Sequence, residues 1–107
     1  MKIFPLAIAL AALSVPSCGL AADNAETLLK KAQCTACHSV DKKLLGPGFK
    51  SVADRYRDFA DAQALLEEKV RKGGAGRWGT MPMPALRDKD LSDAEVKIVV
   101  RWILSLK

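Results

Sequence analysis

The five residues Cys34-Thr35-Ala36-Cys37-His38 decide how the rest of this sequence is interpreted. Two cysteines separated by two residues fall on one helical turn, so both sulfurs can reach vinyl groups of one porphyrin and form thioether bonds. The next residue, His38, then lies beneath the porphyrin, where a ring nitrogen can bind the iron. The motif therefore predicts a covalent haem c site formed by Cys34, Cys37 and His38.

Two other kinds of site also use paired cysteines, and the sequence argues against both. A structural zinc site needs four ligands, but beyond residue 22 the chain contains two cysteines and one histidine. A thioredoxin-like redox pair requires a βαβ context, and no strand pattern surrounds the motif. Haem attachment is therefore the favoured interpretation.

Residues 1–22 are predicted to be a secretory signal peptide that is removed from the mature protein. Lys2 supplies the positive start, an apolar stretch follows over residues 3–15, and Gly19 and Ala21 are spaced as a cleavage site. The apolar stretch is too short, and too interrupted by proline, for a membrane-spanning helix. The chain is therefore expected to be exported to the periplasm and to have no membrane span.

Residues 15–19, Val-Pro-Ser-Cys-Gly, also resemble the cleavage box of a bacterial lipoprotein. In that alternative Cys18 becomes the lipidated first residue, and the protein is a membrane-tethered haem subunit of a larger redox complex. Pro16 fits the box poorly, so the untethered periplasmic form is preferred. In both cases the folded domain comprises residues 23–107.

The domain over residues 23–107 is predicted to be small and all-α. Apolar residues recur at helical spacing, Asn24 can cap the first helix, and Ser92 with Glu95 forms a capping box before the last one. No strand pattern is visible, and residues 73–84 are predicted to be a glycine- and proline-rich loop. Such long loops in a small domain need a surface to pack on, which again favours a cofactor. The predicted helices cover residues 25–36, 49–56 and 61–72 and a last segment that starts at Ser92.

The sixth iron ligand is expected to be a methionine, because a thioether is the usual soft ligand of an iron that only carries electrons. Apart from Met1, the chain has Met81 and Met83, both in a segment whose prolines prevent helix formation. Pro82 and Pro84 hold the residues before them extended, so this segment can present a sulfur with little mobility. The pattern leaves both methionines open and favours Met83, whose backbone lies between two prolines.

Three further motifs accompany the Cys-x-x-Cys-His sequence. They are Gly46-Pro47, the loop Trp78-Gly79-Thr80-Met81-Pro82-Met83-Pro84, and the final helical segment Val100-Arg101-Trp102-Ile103-Leu104-Ser105. Together, and in this order along nearly the whole domain, they resemble the small bacterial class I cytochromes c of the cytochrome c-551 (c8) type. The resemblance implies about four helices wrapped around one covalently bound haem, and an electron carrier, not an enzyme.

The same resemblance implies roles for single residues. Met83 falls on the family's axial ligand, and the carbonyl of Pro47 is implied as the acceptor of a hydrogen bond from the haem-ligating histidine. Trp78 is implied as a hydrogen-bond donor to a haem propionate, and Lys69 stands where some relatives carry a basic residue near the propionates. The chain departs from the family after Met83, where Ala85-Leu86-Arg87 replaces a segment that in some relatives holds an asparagine near the sulfur.

The formal net charge of +5 is spread along the chain, with no basic block interleaved with aromatic residues. This distribution argues against nucleic-acid binding. It fits either a positive field that attracts an acidic redox protein or a surface tuned for solubility. Six basic residues are candidates to surround the exposed haem edge: Lys42, Lys43, Lys50, Arg71, Lys72 and Arg77.

The predicted function is that of a monomeric, monohaem carrier of single electrons that cycles between Fe(II) and Fe(III). The resemblance implies a quinol-oxidising complex as electron donor, and a nitrite reductase, terminal oxidase or cytochrome c peroxidase as acceptor. A haem peroxidase or gas sensor is less favoured, because the sequence offers no second histidine for the distal side of the haem.

Overall fold

The computed structural model describes residues 11–14 and 19–107 of the chain. Within these residues the regular structure consists of four α-helices, one short 3-10 helix and one small two-stranded sheet, so the predicted mostly helical domain is confirmed. The elements are α1 (Gly19–Lys31), the 3-10 helix (Cys34–Ala36), α2 (Phe49–Tyr56), α3 (Ala62–Lys72), β1 (Gly74–Gly76), β2 (Gly79–Met83) and α4 (Asp93–Ser105).

The first helix differs from its prediction at both ends. Helix α1 begins at Gly19, so Asn24 lies inside it and is not its cap. At the other end α1 stops at Lys31, because Gln33 takes a left-handed conformation with φ 58° that no α-helix can continue through. Of the predicted signal peptide, only residues 11–14 and 19–22 are among the described ones, and Cys18 of the lipoprotein alternative lies outside them.

Helices α2 and α3 follow the apolar spacing of the sequence closely. The α2 residues predicted to share one face, Phe49, Val52, Ala53 and Tyr56, are all buried. Helix α3 spans Ala62–Lys72 and ends where its glycine C-cap leaves the helical region. Both helices therefore present an apolar stripe to the interior and a charged face to solvent.

Helix α4 is the element against which the other helices pack. Its N-terminus carries the predicted capping box, in which the Glu95 amide donates to Ser92 Oγ at 3.2 Å and the Ser92 amide donates to Glu95 Oε1 at 3.0 Å. Its buried face consists of Val96, Val99, Val100 and Ile103. Helices α1, α2 and α3 all contact α4, so these valines and this isoleucine form the centre of the core.

The segment predicted to be an unstructured loop instead forms an antiparallel hairpin of β1 and β2. Gly74 pairs with Met83, Gly76 pairs with Gly79, and a bulge separates the two pairs. The prediction of no strands was wrong here because the hairpin is short, largely exposed and rich in glycine, so no alternation of apolar and polar residues marks it. Positive φ angles at Gly76 (121°) and Gly79 (118°) allow the tight reversal.

Candidate haem site

A cavity of about 710 Å³ lies between the 3-10 helix, the hairpin and the inner faces of the helices. Its volume is in the range of pockets that bury most of a cofactor's surface. The core side chains Leu66, Val99 and Val100 form part of its apolar wall. The six residues predicted to hold the haem all line this one cavity: Cys34, Cys37, His38, Pro47, Trp78 and Met83.

The two cysteines lie on the 3-10 turn at one side of the cavity. Both are half-buried and neither is in a disulfide. The amides of Cys37 and His38 both donate to the Cys34 carbonyl, at 3.1 and 3.0 Å, so one tight turn fixes the whole motif. Burial raises the pKa of the Cys34 thiol.

The imidazole of His38 is held from three directions. Its Nδ1 lies 2.7 Å from the Pro47 carbonyl oxygen, which accepts the Nδ1–H and leaves the lone pair on Nε2. The ring of Phe49 stacks on the imidazole, with centroids 5.2 Å apart and planes 18° apart. Gly46 lies so close that a Cβ there would be 2.5 Å from His38 Cε1, so only glycine fits beside the ring. These contacts fix both the tautomer and the orientation of an iron-binding imidazole.

The two candidate methionines both line the cavity but differ in burial. Met81 and Met83 are two positions apart in β2, so their side chains leave the same face of the strand. Met81 is 61% exposed, whereas Met83 at the end of the strand is half-buried. Met83 is therefore the less exposed of the two methionines.

Trp78 lies at the exposed rim of the cavity between two arginines. The guanidinium of Arg55 stacks over the indole at 4.6 Å from the ring centroid, and its Nη1 donates to the Arg77 carbonyl at 2.7 Å. Arg77 in turn lies over the ring of Tyr56 at 5.4 Å. The sequence motif indicated Trp78 but not its stacking partner, because Arg55 lies 23 positions away in α2 and no motif marks it.

Lys69 also reaches the rim of the cavity, where it contacts backbone carbonyls. Its ammonium donates to the carbonyl oxygens of Gly73 and Gly74 at 3.2 and 3.1 Å. Lys69 therefore closes the C-terminal end of α3 and joins it to β1.

Three of the six basic residues predicted to surround the haem edge are engaged in ion pairs. Arg71 forms an ion pair with Asp93 at 2.8 Å, and its own side chain is only 20% exposed, so it presents little charge to a partner protein. Lys50 pairs with Asp41 at 2.8 Å, and Lys72 pairs with Glu68 at 2.7 Å. Of the other three, the exposed Arg77 lines the cavity itself, and the exposed Lys42 and Lys43 lie in the loop that leads to Gly46 and Pro47.

Comparison with known sequences identifies relatives along the whole chain. The cytochrome c family model matches residues 22–107. Cytochrome c-551 of Pseudomonas aeruginosa is 36% identical over 107 residues, which is 100% of both chains. Cytochrome c-551 of Allochromatium vinosum is 46% identical over 79 residues, covering 74% of this chain and 82% of that one.

Solved structures agree with the sequence relatives. Wild-type cytochrome c552 of Nitrosomonas europaea superposes with a TM-score of 0.70 at 43% identity, covering 77% of this chain and 99% of that one. The class 1 cytochrome MtoD of Sideroxydans lithotrophicus gives a TM-score of 0.70 at 36% identity, with 78% and 94% covered. The chain therefore belongs to the cytochrome c family, as a small class I member of the c-551 type that carries electrons on one covalently attached haem c and is not an enzyme.

Proposed function

We propose that this protein is a periplasmic carrier of single electrons between redox proteins. In the proposed site, Cys34 and Cys37 would hold the haem through thioethers, and His38 and Met83 would bind its iron from the two axial sides. The observation that carries the proposal is that both proposed ligands line one cavity and that the Pro47 carbonyl orients the imidazole. When bound, the haem supplies the iron whose change of valence carries the electron.

The His38 side of the site is built to change little during electron transfer. The hydrogen bond to Pro47 makes Nε2 a stronger electron-pair donor to the iron and sets the plane of the ring. Phe49 and Gly46 close the two flanks of the imidazole, so the ligand cannot rotate to a new position. A ligand that keeps its geometry in both oxidation states lowers the reorganisation that accompanies each transfer.

Met83 is proposed as the sixth ligand because it combines a soft sulfur with a shielded, extended backbone. A thioether ligand raises the reduction potential and leaves no open position for an exogenous molecule. Its neighbours Pro82 and Pro84 restrict the backbone on both sides. The closed iron favours electron carriage over the alternatives of a haem peroxidase or a gas sensor.

Trp78 is proposed to donate its indole N–H to a haem propionate. An indole at the rim of an apolar cavity buries its ring and still needs an acceptor for its single donor. The stacked guanidinium of Arg55 fixes the plane of that indole and adds positive charge where a carboxylate would lie.

Residues 1–22 are proposed to direct export, which leaves residues 23–107 as the mature domain. Within the described residues, no helix combines the length and the apolar character needed to cross a bilayer. The proposed partners are a quinol-oxidising complex as donor and a nitrite reductase, terminal oxidase or peroxidase as acceptor, with Lys42 and Lys43 attracting an acidic surface. The mass of the mature N-terminal peptide distinguishes this form from one lipidated at Cys18.

The experiment that tests the axial assignment compares Met83→Ala with Met81→Ala in the purified holoprotein. We expect wild type and Met81→Ala to show the ferric sulfur-to-iron charge-transfer band and a ferrous spectrum that carbon monoxide does not change. Met83→Ala should lose the band and bind carbon monoxide promptly, because its iron then has an open position. Loss of the band in Met81→Ala alone would move the ligand to Met81. Carbon monoxide binding by the wild type would favour a sensor or peroxidase.

A further inference from the structure

The residue after α3, Gly73, has a backbone conformation that other residues avoid. Its φ of 63° and ψ of −146° lie in a region that is essentially restricted to glycine. Its amide donates to the Lys69 carbonyl at 2.8 Å, so this conformation is part of the helix end and not a free loop. Substitution by any L-residue would therefore strain the junction between α3 and β1.

Gly73 also lies directly against the backbone that follows β2. A Cβ built on Gly73 would overlap the carbonyl oxygen of Met83 and would lie 2.8 Å from both the Ala85 amide nitrogen and the Pro84 carbonyl carbon. These are backbone atoms, which cannot rotate away as the end of a flexible side chain can. The hydrogen at this Cα is thus the only substituent that lets the methionine segment pack on the end of α3.

Two hydrogen-bonded contacts hold the same segment at this place. Gly74 pairs with Met83 across the hairpin, and the Leu86 amide donates to the Val70 carbonyl at 3.1 Å. Met83 is therefore bracketed by backbone contacts to the last turn of α3 and to the first residue of β1.

We propose that Gly73 is a positioning residue for Met83: its missing side chain sets the distance between the end of α3 and the segment that presents the sulfur. This inference rests on the proposed assignment of Met83 as axial ligand. Adding a Cβ at Gly73 displaces the Met83 backbone, so the sulfur is more easily replaced by an external ligand. In that exchange the iron–sulfur bond breaks, a bond forms between the iron and a nitrogen of the external ligand, and the oxidation state of the iron does not change.

The hairpin itself provides the matched control. Gly76 also has a positive φ, 121°, but a Cβ there would meet nothing within 4 Å. Gly73→Ala and Gly76→Ala thus both introduce backbone strain, whereas only Gly73→Ala adds a clash with the methionine segment. The probe is imidazole, titrated into the ferric holoprotein and followed by loss of the sulfur-to-iron band. Global unfolding in guanidinium is measured in parallel.

We expect imidazole to bind Gly73→Ala about tenfold or more tightly than wild type, because only there does the added Cβ collide with the backbone of Met83 and Pro84. Gly76→Ala should stay within about twofold of wild type even where its positive φ lowers global stability, because a Cβ there meets no atom within 4 Å. Equal imidazole affinities in the two variants, whatever their global stabilities, would overturn the proposal.

A milder change keeps the test decisive if Gly73→Ala does not accumulate as holoprotein. Lys69→Leu removes the ammonium that binds the Gly73 and Gly74 carbonyls and adds no sulfur to the cavity that Lys69 lines. We expect it to raise imidazole affinity about threefold, the worth of a modest hydrogen bond, and no change at all would count against the proposal. If Met83→Ala keeps the band, the axial assignment fails; if Met83→Ala loses the band while Gly73→Ala and Lys69→Leu bind imidazole as wild type does, this inference fails alone.

Discussion

On one side of the cavity His38 is fixed by contacts of its side chain, whereas on the other side Met83 is fixed by its backbone. The imidazole is stacked on Phe49, which is only 4% exposed and packs edge-on against Trp102 at 5.8 Å. The histidine is thus continuous with the hydrophobic core. Met83 belongs to a mostly exposed hairpin. Glycines and backbone hydrogen bonds make the contacts between this hairpin and the end of α3.

This difference implies different stabilities for the two ligands. Segments with few buried apolar contacts open at a lower free energy than the core does. The methionine side is therefore expected to open locally while the helices stay folded, and the histidine side is expected to be lost only on global unfolding. Substitutions on the two sides should separate these events.

The largest effect is expected from Phe49→Ala, which breaks the histidine side. Removing a buried aromatic ring costs about 3–5 kcal/mol, and here it also removes the surface on which His38 stacks. We expect the free energy of global unfolding in guanidinium to fall by this amount, while the imidazole affinity of the folded ferric protein stays close to that of wild type. The control is Phe59→Ala, whose ring is 44% exposed and whose loss should cost about 1 kcal/mol or less. Similar losses in both variants would show that the histidine side does not depend on the core.

The elements that could be predicted from the sequence are those with a local physical signature. The boundaries of α2 follow from the spacing of Phe49, Val52 and Tyr56, and the capping box of α4 follows from two residues three positions apart. The cofactor was predicted for the same reason, because the chemistry of thioether formation restricts the cysteine spacing. Signatures of this kind do not depend on tertiary structure.

The features that could not be predicted depend on contacts between distant residues or on single backbone angles. Gln33 breaks α1 although glutamine is a good helix former, because the motif must turn toward the cavity. The stacking of Arg55 on Trp78 joins two segments that lie far apart in the chain, and no local spacing pairs these two side chains. The role proposed for Gly73 is visible only once the end of α3 and the methionine segment lie side by side.

An intermediate effect is expected from Arg71→Met, which loosens the methionine side. Arg71 donates to the Leu91 carbonyl at 2.8 Å and to the Leu86 carbonyl at 3.5 Å, and it pairs with Asp93. These contacts tie the segment after Met83 to α3. Since the Asp93 carboxylate is well exposed, most of the loss should come from the carbonyls, and we expect about 1–2 kcal/mol of global stability.

Arg71→Met should also raise the affinity of the ferric protein for imidazole. Phe49→Ala should not, when the two variants are compared at the same fraction of folded protein. Lys72→Met is the neighbouring control, because it removes an exposed ion pair with Glu68 that solvent screens and that therefore contributes little to stability. If Arg71→Met lowered global stability without changing imidazole affinity, the segment after Met83 would not support the ligand.

The smallest effect is expected at the point where the methionine segment rejoins the core, at the start of α4. The hydrogen bond from the Ser92 amide, together with the side chain of Lys31, lowers the pKa of Glu95. A carboxyl whose pKa is lower in the folded state adds stability above its unfolded pKa, and that stability is lost as the pH falls through the folded pKa. We therefore expect Glu95→Gln to be slightly less stable than wild type at neutral pH and to match it in acid, as measured by guanidinium midpoints between about pH 7 and about pH 3. Glu67→Gln on α3 controls for the loss of one carboxylate. If the stability difference between Glu95→Gln and wild type did not shrink on acidification, the contribution of Glu95 would come from its packing and not from its charge.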